Sequence, residues 1–85
     1  LIVLHLFTPD KQNFALGSEL YLDPNSKDFV PIGSDGKAYL YGVKAGTYNL
    51  MLKTTGGKIC HSKLEVPAFQ AGQETALRQF DLICQ

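Results

Sequence analysis

The sequence contains no tryptophan, one methionine, two cysteines and four prolines among its 85 residues. Charge of either sign is also scarce and evenly balanced, with eight Lys and Arg against eight Asp and Glu, and there is no run of one sign. A nucleic-acid-binding domain normally carries a basic stripe, so its absence argues against a nucleic-acid partner. The composition, with 45% hydrophobic residues, predicts one small domain over residues 1–85 with a single core.

A long hydrophobic run is missing as well. The apolar segment Leu1 to Phe7 is far shorter than the roughly 20 residues that a membrane-spanning helix needs, so no membrane span is predicted in this chain. The segment has no preceding basic residues and no small-residue cleavage site after it, unlike a signal peptide. Because the chain does not begin with Met, we expect a domain cut from a longer protein, or a mature fragment.

Catalytic and metal-binding patterns are weak. His61 follows Cys60, but adjacent side chains on a strand point to opposite faces and cannot act as a nucleophile and its base. His5 lies in an apolar run, where a core or edge histidine is the simpler interpretation. With two histidines and no close cysteine pair, a metal site is not expected. We therefore predict that the chain is not an enzyme and binds no cofactor or metal.

What the sequence does contain is a succession of short, alternating segments separated by turns. Strands are predicted over Leu1 to Thr8, Ser18 to Asp23, Phe29 to Ile32, Lys37 to Val43, Thr47 to Thr54, Lys58 to Val66 and Gln79 to Cys84. The pairs Asp35-Gly36 and Gly56-Gly57 are typical of tight hairpins, whose turns need positive φ. Pro31 marks its segment as an edge strand, and at most one helical turn is predicted within 70–80. About seven short strands predict an all-β fold, a small antiparallel β-sandwich of Ig-like type.

The two cysteines favour a disulfide. On the predicted strands, Cys60 shares a face with Leu64, and Cys84 shares one with Leu82, so both thiols point toward the predicted core. A pair in so small a domain predicts a bridge that ties down the end of the chain, and hence an oxidising compartment. The alternative is two unrelated buried thiols.

The aromatic residues are the candidates for partner binding. Tyr21 faces away from its leucine neighbours on one predicted strand, and Tyr39 and Tyr41 face away from Leu40 on another. Tyrosine is favoured at protein interfaces because it combines apolar area with a polar tip. On this basis we select Tyr21, Phe29, Tyr39 and Tyr41. The alternative is that the rings lie on the core face, with the alternation inverted.

The segment from Ile32 to Val43 resembles the G…G-x-x-Y-L-x-G-hydrophobic core of the C-terminal domain of fimbrial outer-membrane ushers. The order of the following features also matches: a turn, an alternating strand, a Gly-rich hairpin, Cys60, a strand ending at Pro67, a polar stretch and a final cysteine. The resemblance covers nearly the whole chain. One departure is Ala15 to Ser18, where the family frequently has a Pro-Phe-Gly-Ala run.

This resemblance implies a prealbumin-like β-sandwich with Cys60 and Cys84 as its structural disulfide. It implies a domain on the periplasmic face of the bacterial outer membrane, within a larger usher. Its expected function is to hold chaperone–subunit complexes during the assembly and secretion of a pilus or fibre, without enzymatic activity. The expected partners are periplasmic chaperone–pilin subunit complexes and other domains of the same usher.

Two other interpretations remain open. The segment Gly42 to Tyr48 also resembles a turn of prealbumin-like sandwiches in secreted surface proteins, which would make the chain a structural spacer. Alternatively, Tyr39 and Tyr41 would form a stacking platform for carbohydrate.

Overall fold

A computed structural model describes residues 1–68 and 77–85, and in these ranges the only regular elements are strands. The strands are β1 (Ile2–Phe7), β2 (Glu19–Tyr21), β3 (Val30–Pro31), β4 (Lys37–Leu40), β5 (Gly46–Lys53), β6 (Ile59–Val66) and β7 (Arg78–Ile83). They form a three-stranded sheet A, in the order β4-β1-β7, and a four-stranded sheet B, in the order β3-β2-β5-β6. The predicted seven-stranded β-sandwich is confirmed. The predicted helical turn within 70–80 lies largely outside the described residues.

Alternation along the strands builds the core between the two sheets. Ile2, Leu4 and Leu6 point inward from β1, and Leu50 and Leu52 point inward from β5, all with at most 2% of their surface exposed. Because successive side chains on a strand face opposite ways, each strand contributes every second residue to this core. The other half of each strand therefore forms the two outward faces of the sandwich.

The register of sheet A contains one pairing that the sequence did not predict. β1 is antiparallel to β4, with Leu4 opposite Ala38, but it is parallel to β7, with Leu4 also opposite Phe80. Sheet B is antiparallel throughout. A parallel pair cannot be joined by a hairpin. Here β7 follows β6 of the opposite sheet, so it enters sheet A by crossing over rather than by turning back on a neighbour.

The two predicted glycine turns have different outcomes. Gly56-Gly57 lies in the hairpin between β5 and β6, as predicted, and Thr54 N donates to Lys58 O at 2.8 Å beside it. The turn at Asp35-Gly36 is not a hairpin within a sheet, because it carries the chain from β3 of sheet B to β4 of sheet A.

Gly36 is required by geometry at that crossing. Its φ is +75°, a region that side chains rarely adopt, and a Cβ there would lie 3.1 Å from Leu6 O and from Phe14 N. Its own carbonyl accepts a hydrogen bond from Leu6 N at 2.8 Å. The crossing is therefore packed directly against the end of β1.

A disulfide joins the two sheets on the opposite side of the sandwich, as predicted. Cys60 on β6 is bonded to Cys84, directly after β7, with their Cα atoms 5.6 Å apart. Gln85 continues the link, since it and His61 exchange backbone hydrogen bonds of 2.7 and 2.8 Å. The end of sheet A is thereby held against the edge strand of sheet B.

Candidate functional site

The candidate binding residues lie on the outward faces of the two sheets. We call face A the outward side of sheet A, formed by Val3, His5, Phe7, Lys37, Tyr39, Gln79, Asp81 and Ile83, with Tyr41 and Leu77 just beyond the strand ends. We call face B the outward side of sheet B, formed by Glu19, Tyr21, Pro31, Asn49, Met51, Lys53, Ile59, His61, Lys63 and Glu65, with Phe29 just before β3. The faces point in opposite directions, because the core lies between them.

Face A exposes more apolar surface than face B. Of the seven large hydrophobic side chains exposed among the described residues, four lie on face A: Tyr41 (76%), Leu77 (65%), Tyr39 (47%) and Ile83 (41%). Two others, Ile59 and Phe29, lie on face B, and Leu16 lies in a loop. Tyr39, Tyr41 and Leu77 lie toward one end of the face and Ile83 toward the other, and exposed apolar surface is a recurrent mark of interaction sites.

Two of the three outward residues of β1 on face A, Val3 and Phe7, are apolar, and His5 lies between them. Val3 points outward between Tyr39 and Gln79 of the flanking strands, yet is only 5% exposed. The rings of His5 and Phe7 stack with their centroids 4.2 Å apart, and Asn13 Oδ1 lies 2.8 Å from His5 Nε2, at hydrogen-bonding distance. These contacts hold the centre of the face in place without a partner.

One row of polar side chains crosses face A. Lys37, His5 and Asp81 lie side by side on β4, β1 and β7. Neighbouring strands are about 4.8 Å apart, so the two charged residues are separated by roughly 10 Å. Neither belongs to an ion pair in the part of the chain that the structure describes, where the one ion pair is Lys63–Glu65 on face B. Face A therefore carries a positive charge toward one edge and a negative charge toward the other.

Face B is more polar and has one small aromatic cluster. The rings of Tyr21 and Phe29 lie 5.9 Å apart at an angle of 52°. The Tyr21 hydroxyl donates a 2.7 Å hydrogen bond to Glu19 Oε1. This hydrogen bond is the main reason that the pKa of Tyr21 is raised, and partial burial and the negative charge of Glu19 add to it.

The structure separates the four sequence candidates into two pairs. Tyr39 and Tyr41 point outward on or beside face A, as the alternation predicted, whereas Tyr21 and Phe29 lie on face B. They cannot form a single site, because the sandwich lies between the pairs. The alternation of apolar and polar residues along a strand does not determine which sheet the strand joins. The sequence therefore could not predict that the four candidates lie on two different faces.

Sequence reasoning missed Leu77 and Ile83, the other exposed apolar residues of face A. Ile83 on β7 and Leu77 before it lie on the same face as the tyrosines, and Phe7 lies across the register from Ile83. The largely apolar sequence of β1 was a signal, because it indicated that the outward side chains of this strand would be in contact with other residues or with a partner. The parallel placement of β7 beside β1 was the missing information.

The described residues offer no other site of a recognisable type. Within 1–68 and 77–85, no group of three His, Cys, Asp or Glu side chains is arranged to hold a metal ion. Nor does this part of the chain contain a helix of the length and apolar character needed to cross a bilayer.

Comparison with known proteins identifies relatives at the level of structure. No protein-family model and no curated protein sequence matches the chain. A C-terminal domain of the Caf1A usher matches with a TM-score of 0.80 and 19% identity, over 98% of this chain and 93% of that one. The C-terminal domain of the PapC usher matches with a TM-score of 0.66 and 26% identity, over 98% and 95%.

A third structure comes from work on the structural homology between the PapC usher C-terminal domain and its plug. It matches with a TM-score of 0.63 and 24% identity, covering 98% of this chain and 88% of that one. For the Caf1A domain, conserved hydrophobic clusters on the surface are described as important for F1 antigen assembly. The structural neighbours of this chain are therefore C-terminal domains of ushers, the same family that its sequence resembles.

Proposed function

We propose that the chain is the C-terminal periplasmic domain of an outer-membrane usher, spanning residues 1–85 of a longer protein. In this role it is a non-enzymatic module that holds chaperone–subunit complexes while a pilus or fibre is assembled and secreted. The observation that carries the proposal is the apolar face A on a fold shared with two usher C-terminal domains.

Face A is the proposed docking surface. Tyr39, Tyr41, Leu77 and Ile83 give it exposed apolar area, and aromatic side chains with a polar tip are enriched at protein interfaces. The stacked His5 and Phe7 rings provide a preorganised centre, which lowers the entropic cost of binding. The Caf1A domain shares this fold, and the importance of its hydrophobic surface clusters for F1 antigen assembly supports by analogy a docking surface that is hydrophobic.

The proposed location agrees with the chemistry of the chain. The Cys60–Cys84 disulfide is the kind of bond that persists in an oxidising compartment such as the bacterial periplasm. The proposed partners are periplasmic chaperone–pilin subunit complexes and, on other parts of the surface, other domains of the same usher. Face B, with Tyr21 and Phe29, is the proposed surface for the second kind of contact.

Isothermal titration calorimetry tests the proposal. The 85-residue chain is titrated with a cognate chaperone–subunit complex and, separately, with the chaperone alone. We expect saturable binding to the complex, with a negative heat-capacity change because apolar surface is buried. Absence of binding to every cognate complex would contradict the proposal and favour a structural spacer.

A further inference from the structure

The charges on face A are arranged so that the face is complementary to a copy of itself. Lys37 and Asp81 occupy the same row, one on each outer strand of sheet A, with His5 midway between them. Consider a second copy placed face to face and related by a two-fold axis that runs along β1. This operation exchanges the β4 edge and the β7 edge of the sheet. It leaves the position of each residue along the strand direction unchanged.

The consequences of this operation follow from the register alone. Lys37 of one copy lies opposite Asp81 of the other, and because the contact is isologous, each charge pair forms twice. In the rows closer to the N-terminal end of β1, Tyr39 of one copy lies opposite Gln79 of the other, and Tyr41 lies opposite Leu77. The arrangement therefore matches Lys37 with Asp81 and Tyr41 with the apolar Leu77, and it places neither Lys37 opposite Lys37 nor Asp81 opposite Asp81.

We propose that face A associates with face A of a second copy in this two-fold arrangement. The association covers apolar side chains that are otherwise in contact with water, including Tyr41 and Leu77. It rests on the proposed function in one respect: the same face is assigned there to the chaperone–subunit complex. Self-association and complex binding are thus mutually exclusive, and a paired domain has to separate before it can take up its partner.

The association is expected to be weak. A three-stranded face about six residues long gives a contact smaller than the roughly 800 Å² per partner of a stable interface. Sedimentation velocity of the 85-residue chain from about 5 µM to about 1 mM covers the corresponding range of affinity. We expect the sedimentation coefficient to rise toward that of a dimer with concentration. A monomer at all concentrations would overturn the proposal.

Charge-reversal variants test the geometry of the contact. Lys37→Asp and Asp81→Lys each turn both charge pairs of the dimer into like-charge contacts, so each is expected to weaken dimerisation about tenfold or more. An equal mixture of the two variants restores both opposite-charge pairs in the heterodimer. We expect this mixture to dimerise about as strongly as the unchanged chain. If mixing restores nothing, the two-fold arrangement is wrong.

The controls are Lys63→Asp and Glu65→Lys on face B, which alter charges of the same kind on the opposite side of the sandwich. They are expected to leave the dimer dissociation constant unchanged, and an equal effect from them would overturn the assignment to face A. Circular dichroism of every variant shows whether it is folded. No partner protein is needed, so failure of this inference is distinct from failure of the calorimetric test of function.

Discussion

Face A and face B cover the same core from opposite sides, yet their chemistry differs. Face A has the apolar Val3 and Phe7 among the outward residues of its central strand β1 and exposes four large hydrophobic side chains. Face B has charged or polar residues at most outward positions of β5 and β6, as a solvated sheet face is expected to have. This difference in exposed apolar side chains is the reason for proposing face A, and not face B, as the docking surface.

The largest expected effect comes from removing the link between the two sheets. Replacing both cysteines, Cys60→Ala with Cys84→Ala, opens a loop whose closure stabilises the domain by about 3.5 kcal/mol on the chain-entropy model. For a domain of this size that corresponds to a fall in Tm of roughly 15 °C or more, measured by calorimetry. Hydrogen exchange should show greater loss of protection in β7 than in β5. An unchanged Tm would mean that the bridge does not stabilise the fold.

The second effect concerns binding and compares the two faces directly. The variant Tyr39→Ala with Tyr41→Ala should weaken binding of the chaperone–subunit complex by about 10- to 100-fold, as expected when interface aromatic residues are truncated. Phe29→Ala on face B is the matched control and should change the affinity less than threefold. Calorimetric titration measures both variants.

That comparison has two distinct ways to fail. If Phe29→Ala weakens binding more than the face A variant, the docking surface is face B. If the face A variant unfolds the domain, the tyrosine rings contribute to the core. Thermal unfolding distinguishes this second outcome from a true loss of binding.

A smaller effect is expected inside the sandwich, where both faces remain unchanged. Ser18 is fully buried, and its Oγ has no hydrogen-bond partner among the described residues. A buried hydroxyl without a partner costs free energy, so Ser18→Ala should raise the free energy of unfolding by up to about 1 kcal/mol. Urea denaturation measures the change, and complex binding should stay the same. A clear loss of stability would show that the hydroxyl is bonded.

The smallest effect concerns the titration of face B. The pKa of Tyr21 is raised mainly by its hydrogen bond to Glu19, so its ionisation, followed by ultraviolet absorbance, should occur at a higher pH than is usual for tyrosine. Because the folded-state pKa lies above the unfolded one, the associated stability is present at neutral pH and is lost as pH rises through the folded pKa. Glu19→Gln should lower the pKa of Tyr21. No change would mean that the hydrogen bond does not form.

Alternation predicted which side chains face inward, but not which strands become neighbours. The inward positions of Leu50 and Leu52, the outward positions of Tyr39 and Tyr41, and the disulfide followed from side-chain period and cysteine count. These are local properties, since they depend on residues close together in sequence.

The parallel contact between β1 and β7 could not be predicted in this way, because it joins two ends of the chain through a crossover. Face A depends on that contact, since it brings Ile83 beside Phe7 and Asp81 beside His5. The role of Gly36 was also missed. A glycine in a turn looks the same in sequence whether it closes a hairpin or carries the chain into the opposite sheet.

The parallel pairing of β1 and β7 has a mechanical consequence. The two strands run side by side in one direction, with six residue pairs in register from Ile2–Arg78 to Phe7–Ile83. A pull that draws Leu1 and Gln85 apart along the strand axis loads this ladder in shear, so its hydrogen bonds share the force and do not break one after another. The Cys60–Cys84 bond adds a covalent anchor next to the pulled end. The pairing of its first and last strands therefore gives the sandwich a shear geometry that resists tension applied between Leu1 and Gln85.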